Sequence, residues 1–380
     1  MIYADNAATT RISDMAFEKM VPFLREQYGN ASSQYSLGAR ARYAIEQARQ
    51  QTATAIGAEM AEILFTSGGS EANSWVLRGV EEMFSGKAIH ILTSSIEHHS
   101  VLNACHTLKS MGAEITYLPI NGYGAVEIAH VITATRPNTK LVSLMLANNE
   151  IGTIQPIAEI GKYLHERGIL FHTDAVQAVG HIPVDVKDLH VDFLSASAHK
   201  FNGAKGTGIL YKRSGQKLPS LVFGGGQEHG FRAGTENVAG IVALGYALEE
   251  SVAGMQSTAS RLKTMIDYTV KGIQKTIPLV RVNGDIEKRL PGTVNLRFDG
   301  VSGESLMNLL DLDGVCVSTS SACNSGKDIP SHVLLALGLS EEQAKSSIRI
   351  SYGRYNTQEE VETIVENICK AYIKIHNASK

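Results

Sequence analysis

"AIHILTSSIEHHSVLNACHTLKSM", residues 88–111, holds the repeating unit that decides the fold. An apolar run over 88–93 is followed by a segment, 100–111, whose apolar residues recur at helical spacing. The same alternation surrounds it. Short apolar runs at 62–66, 140–147, 169–173, 191–195 and 208–211 are separated by helical patterns such as 70–82 and 157–167. Strands alternating with helices predict a mostly parallel sheet covered on both faces. Beyond about residue 235 the rhythm changes. A long helical stretch to about Thr276 precedes a strand over 293–298, a helix over 302–310, strands over 315–318 and 347–351, and a last helix from Thr357. This second part reads as a smaller α+β unit.

The chain has 380 residues, room for two or three domains at about 100–200 residues each. Hydrophobic residues make up 43% and charged residues 19%, enough to bury a large core. A net charge of -3 gives no general electrostatic case for nucleic acid or an anionic membrane. Asp5 and Asn6 interrupt any leader-like start, and no apolar run approaches the roughly 18 residues of a membrane span, so the expected compartment is the cytoplasm. Cys105, Cys316, Cys323 and Cys369 form no CxxC pair, which indicates neither a disulfide framework nor a metal site.

Ligands of a parallel sheet bind at the C-terminal edge of its strands. Three stretches end strands there. "FTSGGSEAN" (65–73) turns through Gly69 and Ser70 into a helix. Its exposed amides make an anion cup, or Ser70 simply caps the helix. "FHTDAVQ" (171–177) ends on Asp174, either a helix cap or the partner of a positive charge such as a protonated ring nitrogen, with Gln177 within reach of the same ligand. "SASAHK" (195–200) brings Ser197, His199 and Lys200 to a third strand end. A partly desolvated lysine is a nucleophile toward carbonyls, and the glycines after it let backbone approach a ligand closely. An anion cup, an acid and an amine together fit pyridoxal 5'-phosphate, with its phosphate, pyridinium nitrogen and aldehyde. In the second part, "STSSACNSG" (318–326) places Cys323 among small polar residues, open to act as a nucleophile. Cys105, Cys316 and Cys369 lie in helical or strand patterns and are expected to be packed. Arg349, in "SIRISYGR" (347–354), is either a structural ion pair or a seat for a substrate carboxylate.

Ten motifs in order resemble the cysteine desulfurases of the NifS/IscS type, within the class V aminotransferases: "YADNAATT", "FTSGGSEAN", "EHHSVL", "NNEIGTIQPI", "HTDAVQ", "SAHKFNGAKGTG", "GGGQEHGFRAGTEN", "RLPGTVN", "SSACNSG" and "SIRISYGR". The resemblance runs nearly end to end. It implies an α/β, aspartate-aminotransferase-like fold dependent on pyridoxal phosphate. A large domain, 14–250, would surround a mostly parallel seven-stranded sheet. A smaller α+β domain, 1–13 plus 251–380, would carry the Cys323 loop. It further implies a homodimer that acts on L-cysteine, releases L-alanine and leaves a persulfide on Cys323 for a sulfur-acceptor or scaffold protein. Lys200 would hold the cofactor, His98 would stack on its ring and assist proton transfer, and Asp174 would pair with the ring nitrogen. Asn149 and Gln177 would reach the phenolic oxygen and its surroundings. Gly69, Ser70, Ser197 and His199 would take the phosphate, with Thr235 from the other subunit, and Arg349 would hold the substrate carboxylate. The sequence departs from the family pattern at Ala31, Tyr35, Ser70, Ala198 and His229, none of which removes a group the chemistry needs. The competing readings are a selenocysteine lyase or a class V aminotransferase, which has no use for an open thiol at Cys323, and a non-enzymatic scaffold, which has no use for Lys200.

Overall fold

The computed structural model describes residues 1–319 and 329–378. Thirteen strands are formed among them: β1 (Ile2–Tyr3), β2 (Ile63–Thr66), β3 (His90–Ser94), β4 (Glu114–Leu118), β5 (Thr139–Met145), β6 (Leu170–Asp174), β7 (Phe193–Ser197), β8 (Gly208–Lys212), β9 (Arg281–Asn283), β10 (Thr293–Arg297), β11 (Val315–Cys316), β12 (Ser318–Thr319) and β13 (Ser347–Ser351). Seven of them build one sheet in the order β2-β8-β7-β6-β5-β3-β4, in which β8 alone runs against the other six. Helices Gly69–Met83, His99–Ser110 and Ile157–His165 return the chain between its strands.

The inner strands β3, β7 and β8 are buried along their whole length, and β5 and β6 at all but one residue each, as a sheet covered on both faces requires. β4 was not expected: it is the edge strand, half exposed, and its Glu-Ile-Thr-Tyr-Leu pattern carries little apolar signal. β7 runs two residues later than the predicted 191–195. Asp192 accepts the Phe171 amide on its carboxylate (2.9 Å) and its own amide donates to the Phe171 carbonyl (2.8 Å), so it marks the threshold of the strand rather than its middle.

The second core lies under an antiparallel sheet, β12-β13-β10-β9, covered by helices Met255–Thr276, Gly303–Leu312 and Gln358–Ala378. Two expectations are corrected here. The helical stretch to Thr276 is two helices, Val238–Ala253 and Met255–Thr276, bent by 70° at Gly254, where the helix-weakening residue serves as the end of one and the start of the other. The predicted strand over 315–318 changes partner at Val317. The amides of Ile2 and Ala4 claim the carbonyls of Gly314 and Cys316, so β11 pairs with β1, while β12 pairs with β13. Among the described residues no single helix is long and apolar enough to cross a membrane.

Candidate active site

The cleft residues come from the C-terminal ends of β2, β3, β5, β6 and β7, with one contribution from the antiparallel sheet. β2 ends at Thr66 and the chain turns at Gly68 into the helix Gly69–Met83. Gly68, at φ 153°, is the N-cap, which corrects the reading of Ser70 as a cap. Ser70 stands exposed in the first turn. The opening amides of a helix have no intrahelical partner and lie at the positive end of its dipole. The turn is held close to the sheet because β8 offers a glycine there: a Cβ on Gly208 would meet the Gly68 Cα at 2.6 Å. The Ser197 hydroxyl, at the end of β7, faces the same turn, 3.5 Å from where a Gly68 Cβ would stand. His199 follows, its ring bonded to the Thr9 hydroxyl (3.1 Å). Burial, with Lys200 and Lys205 nearby, pushes it down to about 4, so at neutral pH it is an uncharged donor or acceptor. Amides, a hydroxyl and a neutral imidazole are the donor set that suits a phosphate.

Asp174, at the tip of β6, is 6% exposed. Its carboxylate accepts the Asn73 side-chain amide (2.7 Å) and the Val176 backbone amide (3.0 Å), and among the described residues it forms no ion pair. A buried carboxylate held by two donors without a cation is suited to a cationic ligand group. His98, after β3, begins the helix His99–Ser110 and accepts the Ser100 amide on Nδ1 (3.2 Å). Burial drives its ionisation below the ordinary value. Asp174 opposes this, and Lys200 and His99 add to it.

Lys200 closes a short turn after β7, and its Nζ donates to the carbonyls of Ala7 (2.6 Å) and Ala8 (2.7 Å). Gln177 donates to the same Ala7 carbonyl (3.0 Å). Arg349, in the middle of β13 and 6% exposed, reaches across from the second sheet. It donates to Asp5 (2.6 Å) and to the Asn149 carbonyl (2.8 Å), while its buried Nε has no partner among the described residues. The ion pair to Asp5 is thus present, and the Nε–H has no acceptor among the described residues.

Gly69, Ser197, Asp174, Gln177, His98, His199, Lys200, Asn149 and Arg349 are thus tied together by the strand ends and by the segment 5–10. Thr235 is exposed and lines a neighbouring cleft with Ser67 and Gly206. Cys323 lies outside the described residues. Of the other thiols, Cys105 is buried as expected, but Cys316 and Cys369 are only half-buried, Cys369 at the margin of the second core. Sequence reasoning quoted Asp5, Asn73 and Ser100 without giving them a role. Asp5, the one charged side chain among residues 1–10, reads in the sequence only as an interruption of the apolar start. Asn73 and Ser100 carried no signal, since a polar residue in a first or second helical turn is ordinary.

A mostly parallel sheet that lines up an anion cup, a buried acid and a lysine, facing an arginine from a second sheet, defines a class of α/β protein with a charged cleft between two sheets. The Aminotransferase class-V family profile matches residues 2–364. The cysteine desulfurase IscS of Methanosarcina thermophila is 47% identical over 378 residues, covering 100% of this chain and 93% of that protein. A solved NifS-like protein superposes with a TM-score of 0.92 at 38% identity, covering 97% and 98% of the two chains. A structure described as SspA in complex with cysteine gives 0.82 at 36% identity, covering 94% and 100%. The chain belongs to the class V aminotransferase family, in its group of NifS/IscS-type cysteine desulfurases.

Proposed function

We propose that this chain is a pyridoxal 5'-phosphate-dependent cysteine desulfurase that works as a homodimer on L-cysteine. The observation that carries the reading is that Lys200 and Arg349 meet on one short segment. The amine holds the carbonyls of Ala7 and Ala8 and the guanidinium holds Asp5. A carbonyl-reactive amine and a carboxylate receptor that close together suit an α-amino acid, and SspA, the relative described with bound cysteine, points to which one.

The donor set fits the cofactor. Gly69, Ser70, Ser197 and His199 would hold its phosphate, completed by Thr235 of the second subunit. Asp174 would face the ring nitrogen, His98 the ring, Asn149 and Gln177 the phenolic side, and Lys200 the aldehyde. When bound, pyridoxal phosphate supplies an electron sink for the bonds at the substrate α-carbon. Residues 14–250 would form the cofactor domain, and 1–13 with 251–380 the smaller one.

The protein's own groups supply the rest. Arg349 orients the substrate carboxylate through its spare Nε–H, a charge-assisted contact. Asn73 and the Val176 amide hold the Asp174 carboxylate in place for a cationic group. The Cys323 thiolate attacks the substrate sulfur. The substrate C–S bond breaks and an S–S bond forms on Cys323. The substrate β-carbon gains two electrons and the thiol's proton and is released in L-alanine, so L-cysteine plus thiol gives L-alanine plus persulfide. A sulfur-acceptor protein would then take the outer sulfur. Incubating the cofactor-loaded protein with L-cysteine tests this. Alanine formed in step with transferable sulfur is expected, whereas an oxo acid formed in its place would favour a transaminase. L-selenocysteine run in parallel separates the lyase reading.

A further inference from the structure

His98 has a built-in hydrogen-bond chain behind it, and the direction of every bond in that chain can be read. The backbone amide of Ser100 can only donate, and it points at His98 Nδ1 (3.2 Å). Nδ1 therefore carries a lone pair. The Ser100 hydroxyl is 2.8 Å from the same nitrogen and 2.9 Å from the Asn73 side-chain nitrogen. That nitrogen also lies 2.7 Å from Asp174 Oδ2. Reversing the Asn73 amide would set its oxygen against a carboxylate oxygen, so both of its N–H groups are committed, one to Asp174 and one to Ser100. The serine oxygen accepts from Asn73, which leaves its proton for His98 Nδ1.

We propose that Asn73 and Ser100 are positioning residues that fix His98 as the neutral Nε2–H tautomer and join it to the carboxylate of Asp174. Two donors on Nδ1 stabilise the uncharged ring, and a proton arriving there would break both bonds. The groups facing His98 do not override this. Asp174 from β6 attracts a proton, while Lys200 after β7, His99 on its own helix and His332 on the helix His332–Ala336 repel one. The neighbouring Glu97 is turned away, its carboxyl bonded to the Ser94 hydroxyl and the Met145 amide. His98 thus offers a proton at Nε2 and no basic nitrogen to the cleft. It is an uncharged ring beside Lys200. The bearing of this on catalysis rests on the proposed function, but the tautomer does not.

The test is long-range proton–nitrogen NMR of histidine-labelled full-length protein, with and without pyridoxal phosphate, using His98→Gln to assign the signal. Wild type should show an unprotonated Nδ1 and a protonated Nε2 throughout the neutral range. Ser100→Ala, which keeps the backbone amide on Nδ1 and loses only the hydroxyl, should keep the Nε2–H tautomer and raise the His98 ionisation by about half to one pH unit, roughly three- to tenfold in affinity for the proton. Ser100→Thr, which keeps the hydroxyl, should restore the wild-type signal. A protonated Nδ1 in wild type, or an alanine variant indistinguishable from it, would overturn the proposal. Should Ser100→Ala fail to fold, the wild-type tautomer and the threonine variant still decide. If the tautomer is as described but L-cysteine yields no alanine, the functional reading fails and the relay stands.

Discussion

Two buried arginines divide the molecule into a part that is closed and a part that is waiting. Arg49 lies under the turn that precedes Thr235. Its guanidinium makes a two-pronged pair with Glu228 (2.9 and 2.8 Å), reaches the Ile63 carbonyl (2.7 Å) and places Nε on Glu46 (3.2 Å). Glu228 also accepts the Phe65 amide. Each donor has an acceptor, so this region holds shape: it keeps Glu228 and His229 at φ of 47° and 57°, a conformation that side-chain-bearing residues adopt at a cost. Arg349 is also buried, but among the described residues its Nε has no partner and it meets a single carboxylate. Burial alone therefore does not separate these two arginines; the completeness of their hydrogen bonding does.

That contrast can be broken by substitution. The largest effect is expected for Lys200→Ala. It should remain folded and lose turnover by on the order of 10³-fold or more, since the amine nucleophile has no substitute. Sulfide release at the wild-type rate would remove Lys200 from the cleft chemistry. Asp174→Asn should cost several kcal/mol of transition-state stabilisation, roughly 10²–10³-fold in rate, with cofactor still bound. An unaffected rate would make Asp174 a structural cap.

The arginines then oppose each other directly. Arg349→Ala should lower kcat/KM by about 10²-fold or more, the scale of charge-assisted contacts, and cost less stability than the loss of Arg49, because the Asp5 it leaves behind is partly exposed to water. Arg49→Met should do the reverse. It destabilises by about 3–5 kcal/mol because Glu228 is left buried without its cation, and it leaves activity per folded molecule close to normal. If the two variants showed the same balance of lost activity and lost stability, the distinction would collapse.

The smallest effect concerns a buried carboxyl with no ion pair among the described residues. Burial raises Glu97 to about 8, with the Ser94 hydroxyl and the Met145 amide only partly opposing it. In the unfolded chain the same group ionises near the ordinary carboxyl value. Below that value both states hold the proton and nothing is lost. As pH rises toward 8, only the unfolded chain releases the proton, and stability falls. Glu97→Gln should therefore gain stability progressively between about pH 5 and 8, on the order of a few kcal/mol at most, and show no gain near pH 4. A gain independent of pH, measured by thermal unfolding, would show that Glu97 is not the titrating group.

The alternation of apolar runs with helical patterns was enough to predict the seven-stranded sheet's character, because strands buried on both faces read as continuous apolar runs. The edge strand β4 and the two-residue strand β1 carried no such signal, while the run read as one strand over 315–318 splits into β11 and β12 because the N-terminal segment claims the Gly314 and Cys316 carbonyls. Asp174, Lys200 and Arg349 stood out as charged residues inside or at the ends of apolar strands. Asp5, Asn73 and Ser100 did not, since what matters about them is which side chain they touch, and that is set by contacts 344, 101 and 27 residues apart along the chain.

The most direct test of the account is the destination of the sulfur. Burial and the neighbouring Glu97 push the Cys105 thiol up to about 12, and burial raises Cys369 as well, so neither supplies a ready thiolate. Cofactor-loaded protein exposed briefly to L-cysteine, alkylated and digested, should gain one sulfur on the peptide containing Cys323, alongside one equivalent of L-alanine. The Cys323→Ala variant should keep bound cofactor and make no alanine at an appreciable rate. An added sulfur mapped to Cys105, Cys316 or Cys369, or undiminished alanine formation by the Cys323→Ala variant, would contradict the proposed desulfurase mechanism.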